Sequence, residues 1–288
     1  MPKPPRVRVA TDSIADIPEW LAAELGIAVV PANVIFGTES YREGVDLSRE
    51  DFYGRMIAYA GLPKTAAPGP GAFAEAFERL IAENRDAGVP LDAIVSLHPP
   101  TTLSGLYNSA YSASQMLEGT KIVVIDSGQI TMGTGWMAIM AARAAESGAG
   151  VDEITAMIEQ IHGRTQLVAG LETLEWAARS GRVNRIVATI GNLLAVKPII
   201  RVQDGSISLV ERVRTHNRQF ERVLEMGRSL APFRELAIVH ARAPEMAEAI
   251  AAQLADIHPR ERMIVAEIGC ALGSYAGPGA YGIVSIRA

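Results

Sequence analysis

The fold class is decided by the stretch Arg6-Val-Arg-Val-Ala-Thr-Asp-Ser13. Its start alternates apolar and polar residues as a half-buried strand does, and a polar Thr-Asp-Ser segment follows where the strand ends. The strand-like run Lys121–Ile125 leads into Asp126-Ser127 in the same way. Between and after these runs, helix-like and strand-like segments alternate up to the break Gly148-Ala-Gly150. This order predicts a parallel sheet with helices on both of its faces.

The segments of this first half carry local start and stop signals, such as the capping-box pattern Ser48-Arg-Glu-Asp51. The loop Lys64–Gly71 separates two of its predicted helices. The predicted strands are Arg6–Ala10, Ile27–Val30, Asp92–Leu97 and Lys121–Ile125, and the predicted helices run from near Asp16 to Gly26, from Ser48 to about Tyr59, and through Phe73–Ile81, Leu103–Leu117 and Met132–Ala145.

The second half follows a different pattern. A helix, Val151–Ile161, is followed by two strand-like runs joined through the hairpin signal Asp204-Gly205. The strand-like runs of this half are Val196–Val202, Ser206–Val213, Leu236–Ala241, Met263–Ile268 and Gly282–Arg287, and one clear helix, Pro244–Ala255, lies among them. We therefore predict an α/β protein with an α/β/α parallel-sheet domain over residues 1–155 and a smaller mixed-sheet domain over residues 156–288.

Composition excludes several classes of protein. With 288 residues and 49% hydrophobic residues, the chain can bury a core and is not disordered. The formal net charge of −5 provides no basic excess for a phosphate backbone, so we expect no nucleic-acid partner. Cys270 is the single cysteine, which excludes an intrachain disulfide and a thiolate metal cluster. The sequence shows neither a signal peptide nor an apolar run long enough for a transmembrane segment, and we expect a cytoplasmic location.

The segment Leu103-Ser104-Gly105 is a candidate ligand contact, because it follows a predicted strand and opens a predicted helix. The first amides of a helix lack intrahelical partners, the Ser104 hydroxyl adds a donor, and Gly105 allows close approach. The segment therefore suits a carboxylate or a phosphate, although a serine in this place also serves as a simple cap. Thr65, in the preceding loop, is a second candidate donor.

Polar residues at the ends of two strands have two interpretations. Asp12-Ser13 and Asp126-Ser127 would both lie at the carboxyl edge of a parallel sheet, where ligands bind. They either form a polar rim for a ligand or cap the helices and loops that follow.

Enzymatic motifs find little support in the sequence. The histidines form no i,i+4 pair, and neither a nucleophile elbow nor a Walker loop is present. Ser104 with His98 as its base remains as a weak hydrolase alternative. The segment Gly277-Pro-Gly-Ala-Tyr-Gly282 matches G-x-G-x-x-G in letters, but only a strand-like run follows it. We interpret these glycines as a tight turn.

Positive charge is concentrated in residues 179–218, which hold seven arginines and Lys197 against Asp204 and Glu211. This stretch is either a solvated surface with internal ion pairs or a face that docks an acidic partner or an ATP-bearing enzyme.

Taken together, these motifs resemble the DegV family of bacterial fatty-acid-binding proteins over nearly the whole chain. The resemblance rests on many short matches that occur in family order. They are Thr11-Asp12-Ser13-x-Ala-Asp16, Val30-Pro31, Tyr41 to Asp46, Thr65 with Pro68, Leu103-Ser104-Gly105 with Tyr107, Asp126-Ser127, Ser180-Gly181-Arg182, Ile190-Gly191-Asn192-Leu193-Leu194 with Lys197-Pro198, Arg214-Thr215, and Gly277-Pro-Gly279-Ala.

The resemblance implies a two-domain fold, with one long-chain fatty acid in an internal tunnel between the domains. It further implies that the protein is not itself an enzyme. It would present the carboxylate to a separate ATP-dependent fatty acid kinase subunit, which makes the acyl phosphate. No cofactor is expected, and the ligand would be palmitate-like. The alternatives that remain are a small-molecule phosphotransferase or a hydrolase that uses Ser104, and a regulatory protein that senses fatty acids.

Site residues also follow from the resemblance. Thr65 and Ser104 match the family residues that bind the carboxylate, the amide of Gly105 lies beside Ser104, and Arg214 matches an arginine associated with kinase docking. Tyr275 stands where some members use a histidine against the carboxylate, and it can donate a hydrogen bond but cannot become cationic near neutral pH.

The chain departs from the family pattern close to these residues. The departures are Ala66 and Ala67 in place of serine and glutamine, Pro100-Thr101 in place of Ser-Ser, and Leu106 in place of threonine.

Overall fold

The computed structural model describes residues 3–182 and 196–288, and of Arg179 it describes only the backbone. In chain order the strands are β1 (Val7–Asp12), β2 (Ala28–Val30), β3 (Asn33–Phe36), β4 (Glu39–Arg42), β5 (Lys64–Ala66), β6 (Ala93–His98), β7 (Ile122–Asp126), β8 (Thr165–Gly170), β9 (Lys197–Gln203), β10 (Ser206–Val213), β11 (Phe233–His240), β12 (Met263–Glu267) and β13 (Tyr281–Arg287). The helices are α1 (Glu19–Glu24), α2 (Arg49–Ala58), α3 (Pro70–Asp86), α4 (Leu106–Ser114), α5 (Met132–Glu146), α6 (Val151–His162), α7 (Glu175–Arg179), α8 (His216–Arg228), α9 (Pro244–Leu254) and α10 (Cys270–Ala276). Residues Ser13–Ala15 and Arg260–Arg262 form single 3₁₀ turns.

The first half forms a parallel sheet of four strands in the order β2-β1-β6-β7. Strands β1 and β6 are buried along their whole length, as the central strands of a sheet covered on both faces must be. On one face, Phe73, Phe77 and Leu80 of α3 pack with Leu106 of α4. On the other face, α5 packs against the sheet with Trp136 in its buried core. The predicted parallel sheet with helices on both faces is confirmed.

The second half forms a separate mixed sheet of six strands in the order β10-β9-β8-β13-β11-β12. Only β11 and β12 pair in parallel, and the other neighbours are antiparallel. Helices α8 and α9 cover one face, and the other face turns toward the first half and shares its core. The hairpin between β9 and β10 turns at Asp204 and Gly205, both with positive φ (48° and 73°), as a two-residue hairpin turn requires. The mixed sheet is confirmed. The domain boundary at residue 155 stays a prediction, and it lies within α6.

Some elements differ from the sequence prediction. Thr65 lies in the three-residue strand β5 and not in a loop, because β5 pairs with β3 in a small antiparallel sheet of order β4-β3-β5. Helix α1 begins at Glu19 rather than near Asp16, because Asp16 has a φ of 51° and Pro18 precedes the helix as its cap residue. Strand β8 and the helices α7, α8 and α10 were not predicted.

Candidate functional site

An apolar cavity in two adjoining parts lies between the two halves. Its inner part, of about 590 Å³ including its opening to solvent, lies against the second sheet. Its outer part, of about 680 Å³ on the same basis, reaches the start of α4. Five residues line both parts, which therefore adjoin: Ile130, Ala177, Ile207, Leu272 and Tyr275. The described part of the chain thus contains a two-part apolar cavity between its two larger sheets.

The inner part of the cavity is walled almost entirely by hydrocarbon. Alternate residues of neighbouring strands point into it, as the strand period of two requires. They are Leu167 and Ala169 of β8, Ile200 of β9 and Val239 of β11. The hydroxyl of Tyr281, which also lines this part, donates to Gln219 Oε1 at 3.2 Å. Its polar group is therefore already satisfied, and the inner wall suits an apolar ligand.

The outer part of the cavity is where polar groups gather. Thr65, Ser104, Gly105 and Tyr275 all line it, so four residues predicted from the sequence lie around one space. The hydroxyls of Thr65 and Tyr275 are hydrogen-bonded to each other. Their mutual hydrogen bond uses one of the two hydroxyl protons, so the other proton can be donated to an oxygen that enters the cavity.

Ser104 and Gly105 lie just before the first turn of α4. That helix begins at Leu106 and not at Leu103 as predicted, with Gly105 in the cap position. Ser104 Oγ accepts the N–H of Leu106 at 3.3 Å, so the serine does act as a cap. Its hydroxyl proton is left to donate. A Cβ on Gly105 would be 3.7 Å from the side chain of Ala67, which is an ordinary contact distance.

Tyr275 reaches the site because α10 is placed between the halves. The helix lies against α2, β3 and β5 of the first half and against α7 of the second. It ends at Gly277, whose φ of 72° is easily reached only by glycine. A side chain at Gly277 would also collide with Trp176. The glycines of Gly277–Gly282 therefore form a tight turn into β13, as expected, and no helix follows them.

Arg182 is a site residue that the sequence analysis did not assign. Its guanidinium lies 5.1 Å from the ring centroid of Tyr275, in cation–π geometry. Arg182 and Ser180 line the outer cavity and also an adjoining surface depression that contains Lys64 and Trp176. The signal in the sequence was the Ser180-Gly181-Arg182 match to the family. The site therefore combines the hydroxyls of Thr65, Ser104 and Tyr275 with the positive charge of Arg182 at its solvent side.

His98 does not serve Ser104. Its Nδ1 contacts Asp12 Oδ2 at 2.7 Å, and its Nε2 contacts Ser96 Oγ at 2.7 Å. These three side chains have the order of a catalytic triad, but each is fully buried and lines none of the cavities described. The hydrolase alternative with His98 as the base for Ser104 is therefore wrong, and the three groups satisfy one another within the core.

The Asp-Ser pairs are structural caps. Asp12 Oδ1 accepts the N–H of Ile14 at 3.0 Å. Asp126 accepts the N–H groups of Gly128 and Thr101 at 2.9 and 3.0 Å. Neither aspartate lines the cavity, so the interpretation as caps holds and the polar-rim interpretation is wrong.

Arg214 is the candidate docking residue of the basic stretch 179–218. Arg214 is exposed between β10 and α8, so it is accessible to a partner. In the same basic stretch Arg218 pairs with Glu221, and Lys197 pairs with Glu172. Arg185, residues 190–194 and the side chain of Arg179, which the sequence analysis also included, lie outside the described part of the structure.

The last features to consider are the single cysteine, possible metal ligands and possible membrane-spanning helices. Cys270 is buried, and burial raises the pKa of its thiol, so it behaves as a small hydrophobe. Among residues 3–182 and 196–288 there is no group of three potential metal ligands. No helix in these ranges is long and apolar enough to span a bilayer.

Fold and cavity together define an α/β protein with an apolar space, ending in hydroxyl groups, between a parallel sheet and a mixed sheet. The sequence model described as "Uncharacterised protein, DegV family" matches residues 6–288, and this chain belongs to the DegV family. A DegV domain-containing protein of Caldanaerobacter subterraneus subsp. tengcongensis is 31% identical over 281 residues, which cover 96% of this chain and 98% of that protein.

Two solved structures have the same fold. One, described as showing fatty acid binding by a DegV family protein from Thermus thermophilus, superposes with a TM-score of 0.87 at 27% identity and covers 98% of this chain and 99% of that one. The other is DegV from Bacillus subtilis, described as a fatty acid binding protein, with a TM-score of 0.86, 28% identity and the same coverage. The DegV-like α/β fold predicted from the family resemblance, with a parallel sheet and a separate mixed sheet, is confirmed.

Proposed function

We propose that this protein binds one long-chain fatty acid in the cavity between its sheets and presents the carboxylate to a separate ATP-dependent kinase subunit. The observation that carries the proposal is the apolar cavity that ends at the paired hydroxyls of Thr65 and Tyr275. The related proteins of Thermus thermophilus and Bacillus subtilis are both described as binding fatty acids, which supports the ligand class.

The apolar wall supplies the affinity. A chain of about 15 methylenes, buried at ~0.8 kcal/mol each, gains about 12 kcal/mol before the costs of association are subtracted. That gross gain leaves room for tight binding after several kcal/mol of lost freedom. A polar substrate would gain nothing from the hydrocarbon around Leu167, Ile200 and Val239.

The polar end supplies the orientation. Hydroxyls of Thr65, Ser104 and Tyr275 can donate to the two carboxylate oxygens, while the guanidinium of Arg182 places a positive charge on the solvent side. The ligand would therefore lie with its tail against the second sheet and its carboxylate toward the surface. That orientation is what transfer of a phosphoryl group to the carboxylate by another protein requires.

Arg214 is our candidate for docking that second protein. It is exposed, and it lies in the basic stretch described above. A fixed positive charge accelerates encounter with an acidic partner without taking part in lipid binding. Binding and presentation would thus depend on different residues.

The ligand can be tested directly. The purified protein is extracted with organic solvent, and the extract is analysed by mass spectrometry. We expect about one long-chain fatty acid per chain, whereas an enzyme for polar substrates would carry no stoichiometric lipid. A lipid-free extract from protein that also takes up no added fatty acid would refute the proposal.

Presentation needs a separate test. Arg214→Glu should slow the phosphorylation of the bound acid by a kinase subunit from the same source while the lipid content stays unchanged. Arg234→Glu is the matched control, because Arg234 is also exposed but lies on β11. Equal rates for the two variants would contradict the docking role of Arg214, and absence of any kinase-dependent phosphorylation would favour a sensing role.

A further inference from the structure

Helix α10, which carries Tyr275, is held at its first turn by two buried carboxyl groups of the first half. Glu43 Oε2 accepts the N–H of Ala271 at 3.3 Å, and it also accepts the hydroxyl of Ser13 at 2.7 Å. Asp16 Oδ1 accepts the N–H of Gly269 at 2.8 Å. The two bonds to Gly269 and Ala271 connect segments more than 220 residues apart in the sequence, since they span 253 and 228 positions.

The two carboxyl groups crowd the same point. A Cβ on Gly269 would collide with Glu43 Oε1 and would approach Asp16 Oδ1 to 3.0 Å, so only glycine fits between them. Asp16 is held in the left-handed region with a φ of 51°, a conformation that costs free energy and is kept only where its surroundings impose it. Its second oxygen, Oδ2, is buried without a hydrogen-bond partner.

Such a pair is poorly suited to carry two negative charges. Burial, reinforced by the charge of Asp16, raises the pKa of Glu43 to about 7. Burial raises the pKa of Asp16 to about 6. Arg49, at the start of α2, is the positive charge that acts on both groups, and it can compensate one negative charge but not two.

Other side chains also face the pair. Burial raises the pKa of the Tyr53 phenol on α2 and of the Cys270 thiol on α10, so both stay neutral. Asp12, at the end of β1, is bonded to His98, and Thr131 lies near Asp16 with an uncharged hydroxyl. The carboxyl groups that are bonded directly to the first turn of α10 are those of Asp16 and Glu43.

The helix connects this pair to the ligand cavity. Leu272 and Tyr275 of α10 line both parts of the cavity, and Tyr275 meets Thr65 there. We propose that Glu43 and Asp16 are positioning residues that share one proton to hold α10 in place, and that loss of this proton to solvent loosens α10 and releases the bound acyl chain. The inference rests on the proposed function, because it assigns a control to the same cavity.

The physical step is electrostatic. When both carboxyls are ionised, the two negative charges repel in a largely buried site, and the repulsion is relieved if the first turn of α10 moves away and more water enters. Tyr275 then leaves Thr65, and the end of the cavity opens. At lower pH the proton restores the contacts, and the chain is retained.

The test measures the dissociation rate of cis-parinaric acid, a fluorescent long-chain acid, at pH 6 and pH 8. We expect the wild-type dissociation rate to be about tenfold higher at pH 8 than at pH 6. Tenfold is the largest change that one carboxyl group can produce over this range when its pKa is near 7 with α10 in place and lower with α10 moved away. Glu43→Gln keeps the shape and the oxygen acceptor but cannot ionise, so its rate should be the same at both pH values. Glu235→Gln is the matched control, because burial raises the pKa of Glu235 as well but this residue lies on β11, away from α10.

A second measurement separates this inference from the proposed function. Hydrogen exchange of the amides of α10 is followed in lipid-free protein at both pH values, after division by the intrinsic exchange rate. We expect less protection at pH 8 in the wild type and in Glu235→Gln, with no such change in Glu43→Gln or, if that variant does not fold, in Asp16→Asn.

The inference would be overturned if neither the dissociation rate nor the hydrogen-exchange protection of α10 depended on pH in the wild type. It would also be overturned if Glu43→Gln showed the same pH dependence as the wild type. Failure to bind fatty acid at any pH would instead refute the proposed function, and the exchange of the lipid-free protein would still decide on the carboxyl pair.

Discussion

Replacing Tyr275 with phenylalanine removes one hydroxyl from the polar end of the cavity and leaves its apolar wall intact. In the structure this hydroxyl is bonded to Thr65, and both residues line the outer part of the cavity. A hydrogen bond to a charged group contributes about 1.5–3 kcal/mol. We therefore expect Tyr275→Phe to weaken the binding of palmitate by about 10- to 150-fold, since 1.4 kcal/mol corresponds to a factor of ten.

The comparison that isolates the carboxylate uses palmitate and its methyl ester. The ester has the same chain but no negative charge, so it gains little from the hydroxyl, and its affinity should change by less than about threefold in Tyr275→Phe. The dissociation constants are measured by displacement of cis-parinaric acid. Tyr281→Phe is the matched control, because this tyrosine lines the inner wall and its hydroxyl is bonded to Gln219.

Two outcomes would refute the reasoning. An unchanged affinity of Tyr275→Phe for palmitate would mean that the hydroxyl does not touch the carboxylate. An equal loss for palmitate and its ester would mean that the variant disturbs the wall of the cavity rather than the polar end. A large effect of Tyr281→Phe would point to the same disturbance.

Three further predictions follow from other parts of the molecule. Ala169→Leu adds three carbons to the inner wall, so the bound acids found by mass spectrometry should become about two to three carbons shorter. Each methylene that is no longer buried costs ~0.8 kcal/mol of binding free energy. An unchanged distribution of chain lengths would place the tail elsewhere. The double variant Thr65→Val/Ser104→Ala should keep the circular dichroism spectrum of the wild type but retain less fatty acid after purification, and unchanged lipid content would count against this assignment of the polar end. The pKa of Glu43 is raised from its ordinary value of 4.5 to about 7 in the folded state, so the folded protein binds more protons than the unfolded one between these pH values. The free energy of unfolding, measured with urea, should therefore fall by about 3 kcal/mol from this group as the pH rises from 4.5 to 7. Glu43→Gln should flatten this dependence, and a wild type that gains stability over this range would contradict it.

The parts of the fold that could be predicted are those with a strong local pattern. The alternation of Arg6–Ala10 and the apolar runs before Asp126 and after Gly26 predicted three strands of the first sheet. The half-buried character expected from the alternation is wrong, because β1 is buried along its whole length and Arg8 is satisfied there by Asn84 and Glu83. The hairpin at Asp204-Gly205 could be predicted because few residue types adopt positive φ at both positions of its turn.

The missed elements are short or are specified by contacts distant in sequence. Strand β5 has three residues, too few to show a period, and it exists because it pairs with β3. Helix α10 has seven residues, and its first turn is bonded to Glu43 and Asp16 from the other half. Helix α8 did have a usable signal, since Thr215 accepts the N–H of Arg218 as an N-cap.

The candidate site was predictable in a different way. Thr65, Ser104 and Tyr275 are separated by up to 210 positions, as in the Thr65–Tyr275 contact, and no spacing rule connects them. Their common placement followed from the family resemblance, and the structure then brought them around one cavity. Arg182 and the Asp16–Glu43 pair escaped because their roles depend on what packs against them rather than on any local pattern.

In the proposed function, the two parts of the cavity would have separate roles. Thr65 and Ser104 line only the outer part, whereas Leu167, Ile200 and Val239 line only the inner part. Under that proposal, substitutions in the second sheet would change the length or shape of the accepted chain while the carboxylate kept its place relative to the surface. A partner that acts on the carboxylate would need only that fixed position, so selection of the tail and presentation of the head could vary independently. Tyr275 on α10, which lines both parts, is where the two requirements would meet.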